Sequence, residues 1–359
     1  FKRAKVYKKI LSLPIFQINF TMKRIKIVFL LAMMMSAVIF SSCNTDVDLY
    51  TDGEETTVVY GYLDVDADTN FLKITKSFVG NVLEMAPDYS VSNYDYKLDV
   101  QLKGRFADSP NVVSVAVLDT VSVYKPYDPN TIFYSGRNQV LYYTTRKLKE
   151  NEEYQLTVKR NDGVEMTSKV KTISGSSIKK PYNNISFESP VTNRIEWRPN
   201  IVGELAAYYE VIGYFHYKQF LQNGTDTTRY TMKWVMGSGT GEQLWSSADK
   251  WLSINYTPND FYKRLQADDN IVNNSPDFVR RIVEGFEVVV TSTGEELYNY
   301  ILIQNSGSAI QDTPEYTNIE NGRGILSSRS ECRKMLEVND ITINTLERDY
   351  PQWGFFRVY

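Results

Sequence analysis

Histidine is nearly absent: His216 is the only one in 359 residues. That excludes His-rich metal sites and leaves one imidazole as a conceivable base. It falls inside the run 207–220 with no nucleophile motif beside it, and a triad needs a placed nucleophile and an orienting acid as well. Cysteine is almost as scarce, with only Cys43 and Cys332, so a disulfide-stapled scaffold is excluded and stability must come from a core. Cys332 stands among cations in RSECRK, which would lower its pKa, yet a lone thiol outside any motif reads as inert. Long apolar runs are missing too. The longest, Ile27 to Phe40, would rise only about 21 Å as a helix, short of the roughly 30 Å hydrocarbon core. Finally, clustered positive charge is lacking beyond the N-terminus. All eight charges of residues 1–42 are Lys or Arg, leaving 32 basic against 43 acidic residues in the remainder, a net of −11. A chain of that sign is a poor partner for nucleic acid, which needs clustered Lys and Arg.

What is there begins with Met22 to Cys43, MKRIKIVFLLAMMMSAVIFSSC. A basic head, a short apolar core and small residues before a cysteine form the layout of a secretory signal. Ending in Cys43, it looks like a bacterial lipoprotein signal, in which Cys43 is lipidated and becomes the new N-terminus. Thiol and amine together take several acyl chains, enough for stable anchoring where one chain is marginal. The departure is Phe40, where such signals usually carry Leu. Residues 1–21 carry five cations and no acid and read as upstream sequence translated from a misplaced start, outside the fold. Residues 43–55, rich in acids, read as a lipidated tether.

Tyr, Phe, Val and Thr are abundant, which favours sheet. Residues 56–173 are expected to form an N-terminal β-sandwich domain of immunoglobulin or fibronectin type. Its strands are TTVVYGYLD, NFLKITKSF, YKLDVQLK, VVSVAVLD, QVLYYTT, EYQLTVKR and VEMTSKVKT. Tyr154, Leu156 and Val158 alternate with polar neighbours, and Asn161-Asp162-Gly163 signals a tight turn. Residues 174–184 read as a linker. Residues 185–359 are expected to be a C-terminal β-rich domain with inserted helices. There, AYYEVIGYFHYKQF (207–220) reads as an interior strand. Thr257-Pro258-Asn259-Asp260 and Ser275-Pro276-Asp277 read as helix starts. EELYNYILIQ (295–304) reads as a helix, and 341–347 and 353–359 read as strands. The fold class is therefore mainly β, as two β-sandwich-like domains, the second with a few helices.

Candidate chemistry is sparse. Asp64, Asp66 and Asp68 have the alternate spacing of a calcium loop, but Thr69 and Thr75 stand where an EF-hand needs Gly and Glu; an acidic hairpin turn is the better reading. GSGTG (237–241) lacks the strand–loop–helix context of a dinucleotide site and reads as a turn. Glu295 and Glu296 are adjacent, hence on different sides of a helix, and are not an acid/base pair. Gly322-Arg323-Gly324 reads as a tight loop that positions a strand. No cofactor, metal ligand or catalytic residue is expected. Trp234, Trp245, Trp251 and Tyr256 are the ligand-facing candidates, as a sugar-stacking platform, weighed against core packing, the default for large aromatics.

The signal, VVYGYLD with FLKITKSF, YQLTVKRNDG, EELYNYI and, most specifically, Asn318 to Ile325 (NIENGRGI) resemble an uncharacterised Bacteroidetes outer-membrane lipoprotein family, a domain of unknown function. The resemblance implies an outer-membrane lipoprotein with sandwich-like β-domains. It carries over no catalytic residue. The expected function is a lipid-anchored envelope protein with a binding or accessory role, supporting an outer-membrane nutrient transporter or envelope assembly. Its partners would be the membrane, through the N-terminal lipid, and a transporter or a glycan or peptide ligand. The alternatives are an envelope hydrolase acting on glycans through converging carboxylates and a structural or adhesin subunit that exchanges strands.

Overall fold

In the strand β1 (Thr57–Asp64), Thr57, Val59, Gly61 and Leu63 point inward while Tyr60 and Tyr62 point to solvent, the two-residue period of a half-wet strand. The computed structural model describes residues 55–77, 89–126, 137–188, 190, 192–221, 227–272, 279–306 and 316–357. The expected signal, Cys43, the tether up to residue 54 and the Ser275 helix start lie outside them. β1 forms the predicted hairpin with β2 (Asn70–Lys76). Asn70 closes its turn, accepting from Asp64 N at 2.6 Å and donating to Asp64 O at 3.1 Å.

The other edge of β1 pairs in parallel with β17 (Arg323–Val338), Val58 opposite Arg323 through Asp64 opposite Arg329. Strands from both halves of the sequence therefore build one nine-stranded sheet. Its path starts with β13 (Thr227–Thr240), β12 (Tyr208–Leu221), β16 (Val279–Thr293) and β17. It continues through β1, β2, β6 (Arg137–Thr144) and β5 (Asp119–Lys125), and β10 (Asn184–Ile185) pairs beside β17. Two four-stranded sheets accompany it. One has the order β4 (Val113–Val117), β3 (Asp99–Arg105), β7 (Glu153–Lys159) and β8 (Glu165–Lys171). The other runs β14 (Trp245–Ser246), β15 (Trp251–Tyr256), β11 (Asn193–Pro199) and β9 (Ser176–Lys180).

The protein is mainly β, with sandwich-like packing and a few helices. Two cores result. Val59, Leu63 and Leu72 pack with Val100, Leu102, Leu156 and Val158. Phe215, Phe286 and Trp234 pack with Trp197, Ile254 and Phe187. The cores do not divide cleanly at 174–184, since Ile319 and Leu326 from beyond that segment pack in the first. That segment is itself structured, since β9 lies within it and pairs with β11.

Helix α1 is one turn, Tyr89–Ser92. α2 (Gly241–Leu244) starts at a capping box of Thr240 and Gln243, so GSGTG is not a turn: β13 runs through it to Thr240. α3 (Pro258–Gln266) begins at Thr257 as its sequence predicts, and buries Phe261 and Leu265. α4 (Asp269–Val272) follows, and α5 (Glu295–Ser306) is the expected EELYNYI helix.

Three expectations fail. Residues 341–347 are helix α6 (Asp340–Asp349), because Asn339 caps it and Thr342 and Leu346 are buried one turn apart. Within the described part of 353–359, Trp353 ends a 3-10 turn, Pro351–Trp353, and Phe355 makes a single bridge to Arg281. Of FVRRIV, Val279 to Val283 belong to β16 and pair with β12. Among the described residues no helix is long and apolar enough to cross a membrane.

Candidate functional site

The aromatics expected to face a ligand are mostly core. Trp234 and Tyr256 are buried, edge-to-face with ring centroids 6.1 Å apart. Trp245 packs half-buried against the same core, and Trp251 is half-buried on β15. Sheet alternation explains this: β13 turns Met232, Trp234 and Met236 inward.

A different aromatic surface is open to solvent. On the outer face of the nine-stranded sheet, β1 presents Tyr60, Tyr62 and Asp64, and β2 presents Phe71 and Lys73. Tyr60, Tyr62 and Phe71 are 40%, 39% and 45% exposed. Tyr60 lies opposite Lys73 and Phe71 opposite Tyr143, whose ring centroid is 6.1 Å from that of Phe71. Tyr60, Tyr62, Asp64, Phe71, Lys73 and Arg329 line a groove of about 390 Å³. Gly61 sets its floor, because a Cβ there would stand 2.0 Å from Leu72 Cδ2 and push β1 off the core beneath. Burial and the neighbouring Tyr300 raise the pKa of the Tyr62 phenol. Burial also raises that of the Asp64 carboxyl, opposed by the backbone N–H of Asp66. Rings that stack, beside a carboxylate, an ammonium and a guanidinium, make this a recognition surface for a ligand with apolar faces and polar edges. The alternation of 57–64 and 70–76 already places these rings opposite Val59, Leu63 and Leu72. The sequence carries no sign that this outer face stays uncovered.

A second cleft of about 460 Å³ is lined by Lys171, Glu204, Glu295, Glu296, Tyr298 and Asn299 among others. Lys171 and Glu204 are 3.9 Å apart. Glu296 accepts from Ser327 Oγ at 3.0 Å, and burial raises its pKa. Glu295 is exposed. The adjacent glutamates thus occupy different environments.

The remaining sequence candidates are each taken up locally. Asp64 accepts from Asp66 N at 2.9 Å, Asp66 from Ser330 Oγ at 2.5 Å, and Asp68 pairs with Lys147 at 3.0 Å. The three carboxylates diverge, and no metal-holding cluster is found among the described residues. The thiol of Cys332 is pushed up to about 12 by burial and then by Asp66, so the cations of RSECRK do not control it. His216 Nδ1 meets Thr231 Oγ1 at 2.9 Å. Gly324 holds φ +98°, and a Cβ there would stand 2.1 Å from Val59 O, which is the close approach the parallel pairing of β1 and β17 needs. Neither a protein-family model nor any curated protein matches this chain.

Proposed function

We propose that this chain is a lipid-anchored protein of the cell envelope, held by acyl chains on Cys43, that binds through the Tyr60–Tyr62–Phe71 groove. In this reading it is an accessory to an outer-membrane nutrient transporter or to envelope assembly. The groove carries the binding role: three large aromatics stand exposed on one sheet face, and such rings are otherwise the residues most profitably hidden from water. A charged rim of Asp64, Lys73 and Arg329 gives the orientation that bare apolar surface lacks. The anchor is supported by the basic head, short apolar core and cysteine of Met22–Cys43.

The test uses cells expressing the full chain with an affinity tag. Mass spectrometry of the membrane-extracted protein should find Cys43 acylated and residues 22–42 removed. Purification in mild detergent should bring down an outer-membrane transporter, and the double substitution Tyr62→Ala, Phe71→Ala should release it while acylation persists. An unmodified Cys43 rejects the anchor. Retention of the transporter by the double variant rejects the groove.

A further inference from the structure

Within the described residues, six strands end the paths of the three sheets, β13 and β5, β14 and β9, β4 and β8, and the two-residue β10 is a further edge beside β17. Unpaired edges invite other strands, and proteins usually blunt them with charge. Here β13 carries Arg229 and Lys233, β5 carries Asp119 and Lys125, β9 carries Lys179 and Lys180, and β8 carries Glu165, Lys169 and Lys171. β14 is only two residues long. β4, Val-Ser-Val-Ala-Val, has no charge at all, and none occurs from Ser109 to Leu118. Its alternate valines are open to water, Val113 at 51%, Val115 at 47% and Val117 at 68% exposure.

The backbone of this edge is open as well. Leu118 N donates to Val100 O at 2.9 Å, so Leu118 faces β3. Alternation then turns the N–H and C=O groups of Val113, Val115 and Val117 away from β3. Arg146 Nη1 touches Val115 O at a long 3.5 Å, while the same guanidinium is held by Asp108 at 2.6 Å and lies over the Phe106 ring.

We infer that β4 is a self-association edge, through which two copies of this chain pair antiparallel about Val115. The choice of a second copy rests on self-complementarity. Pairing centred on Val115 sets Val113 of one copy against Val117 of the other and Val115 against itself. All six valines then lie on one face, and Asp119 meets only Asn111. No like charges oppose each other, and β-branched cross-strand pairs are favourable. Arg146 need only give up its long contact with Val115 O, because Asp108 and the Phe106 ring hold the same guanidinium.

The experiment uses the full chain in detergent micelles, followed by sedimentation velocity across a concentration series. The wild type should pass from monomer to dimer, and Val115→Lys should weaken that association at least about tenfold. Val235→Lys, at an exposed site on the already charged β13, should leave it unchanged. A lysine at solvent-facing Val115 should not alter the thermal midpoint, so loss of the dimer is not loss of fold. Register is read by oxidative crosslinking. Two copies of Val115→Cys would have Cα atoms about 5.5 Å apart, within disulfide reach, whereas two of Val113→Cys would be about 14 Å apart. Val115→Cys should therefore give the crosslinked dimer and Val113→Cys should not. A wild type that stays monomeric throughout, a Val115→Lys variant that still dimerises, or equal crosslinking of the two cysteine variants would each overturn the inference.

Discussion

Arg281 donates to the carbonyl of Trp353 at 2.5 Å, tying the middle of the described C-terminal half to its last turn. Arg281 is fully buried, and it also donates to Gln219 Oε1 at 3.1 Å and Asn270 O at 2.9 Å. Its own backbone holds the tail from the other side, N to Gly354 O at 2.8 Å and O from Phe356 N at 3.0 Å. One guanidinium thereby fixes β12, the helix α4 and the final turn against β16.

Replacing that hub should be costly. Arg281→Ala leaves several buried oxygens without a donor, and each such group costs about 1–3 kcal/mol. We expect a loss of at least about 3 kcal/mol in urea unfolding. Arg281→Lys should recover only part of it, since an ammonium cannot span the same fork of acceptors. Hydrogen exchange at residues 351–357 should accelerate in both variants, more in Arg281→Ala.

The core aromatics and the groove aromatics should respond oppositely to truncation. Trp234 is buried against Phe187, Tyr256, Phe261 and Phe286, so Trp234→Ala should cost about 3–5 kcal/mol. Phe71→Ala, on the exposed face, should change stability by less than about 1 kcal/mol. Comparing the two denaturation midpoints checks the assignment: a severe loss from Phe71→Ala would place that ring in a packed interior and remove the groove.

Residues show which parts of this fold could be read in advance. Leu156 and Val158 alternate with polar neighbours and flank the Asn161-Asp162-Gly163 turn, where Gly163 takes φ +88°; local chemistry settles that hairpin. Thr257 likewise announces α3. The pairing of Val58 with Arg323 has no such local signal, because parallel strands need no turn between them. Arg281 hid the strand character of FVRRIV, since an inward-facing arginine breaks the apolar alternation that marks a strand. In 341–347 the β-branched Ile and Thr favoured a strand, and the Asn339 cap with the Thr342–Leu346 stripe overrode them. The groove shows the same division. The outward direction of Tyr60, Tyr62 and Phe71 is legible from alternation, while the openness of that face depends on where distant segments pack.

Gly324 and Gly61 both meet a neighbour where a Cβ would go, but the neighbours differ in stiffness. At Gly324 the obstruction is backbone, Val59 O at 2.1 Å, and φ is +98°. Gly324→Ala should therefore cost about 2–3 kcal/mol or more and loosen the β1–β17 ladder. At Gly61 the nearest atom is a methyl of Leu72, which can rotate away in part. Gly61→Ala should be the milder change, of about 1–3 kcal/mol. Thermal unfolding of the two variants side by side tests the order; a milder Gly324→Ala would mean that the ladder tolerates separation.

The Cys332 thiol makes a prediction about alkaline pH. Burial and Asp66 push its pKa from 9.0 up to about 12 in the folded protein. Between those values the unfolded chain releases this proton and the folded protein keeps it. Proton release then favours unfolding, and stability falls as pH rises through that window. Below pH 9 both states hold the proton and the group contributes no pH dependence. Cys332→Ala should remove one proton's worth of slope from the stability curve between pH 9 and 12 and leave the neutral region flat. In the same window the native thiol should resist iodoacetamide and react only after unfolding, because the thiolate is the nucleophile. Rapid alkylation of the folded protein at pH 9 would show that the cations of RSECRK, and not burial, govern this thiol.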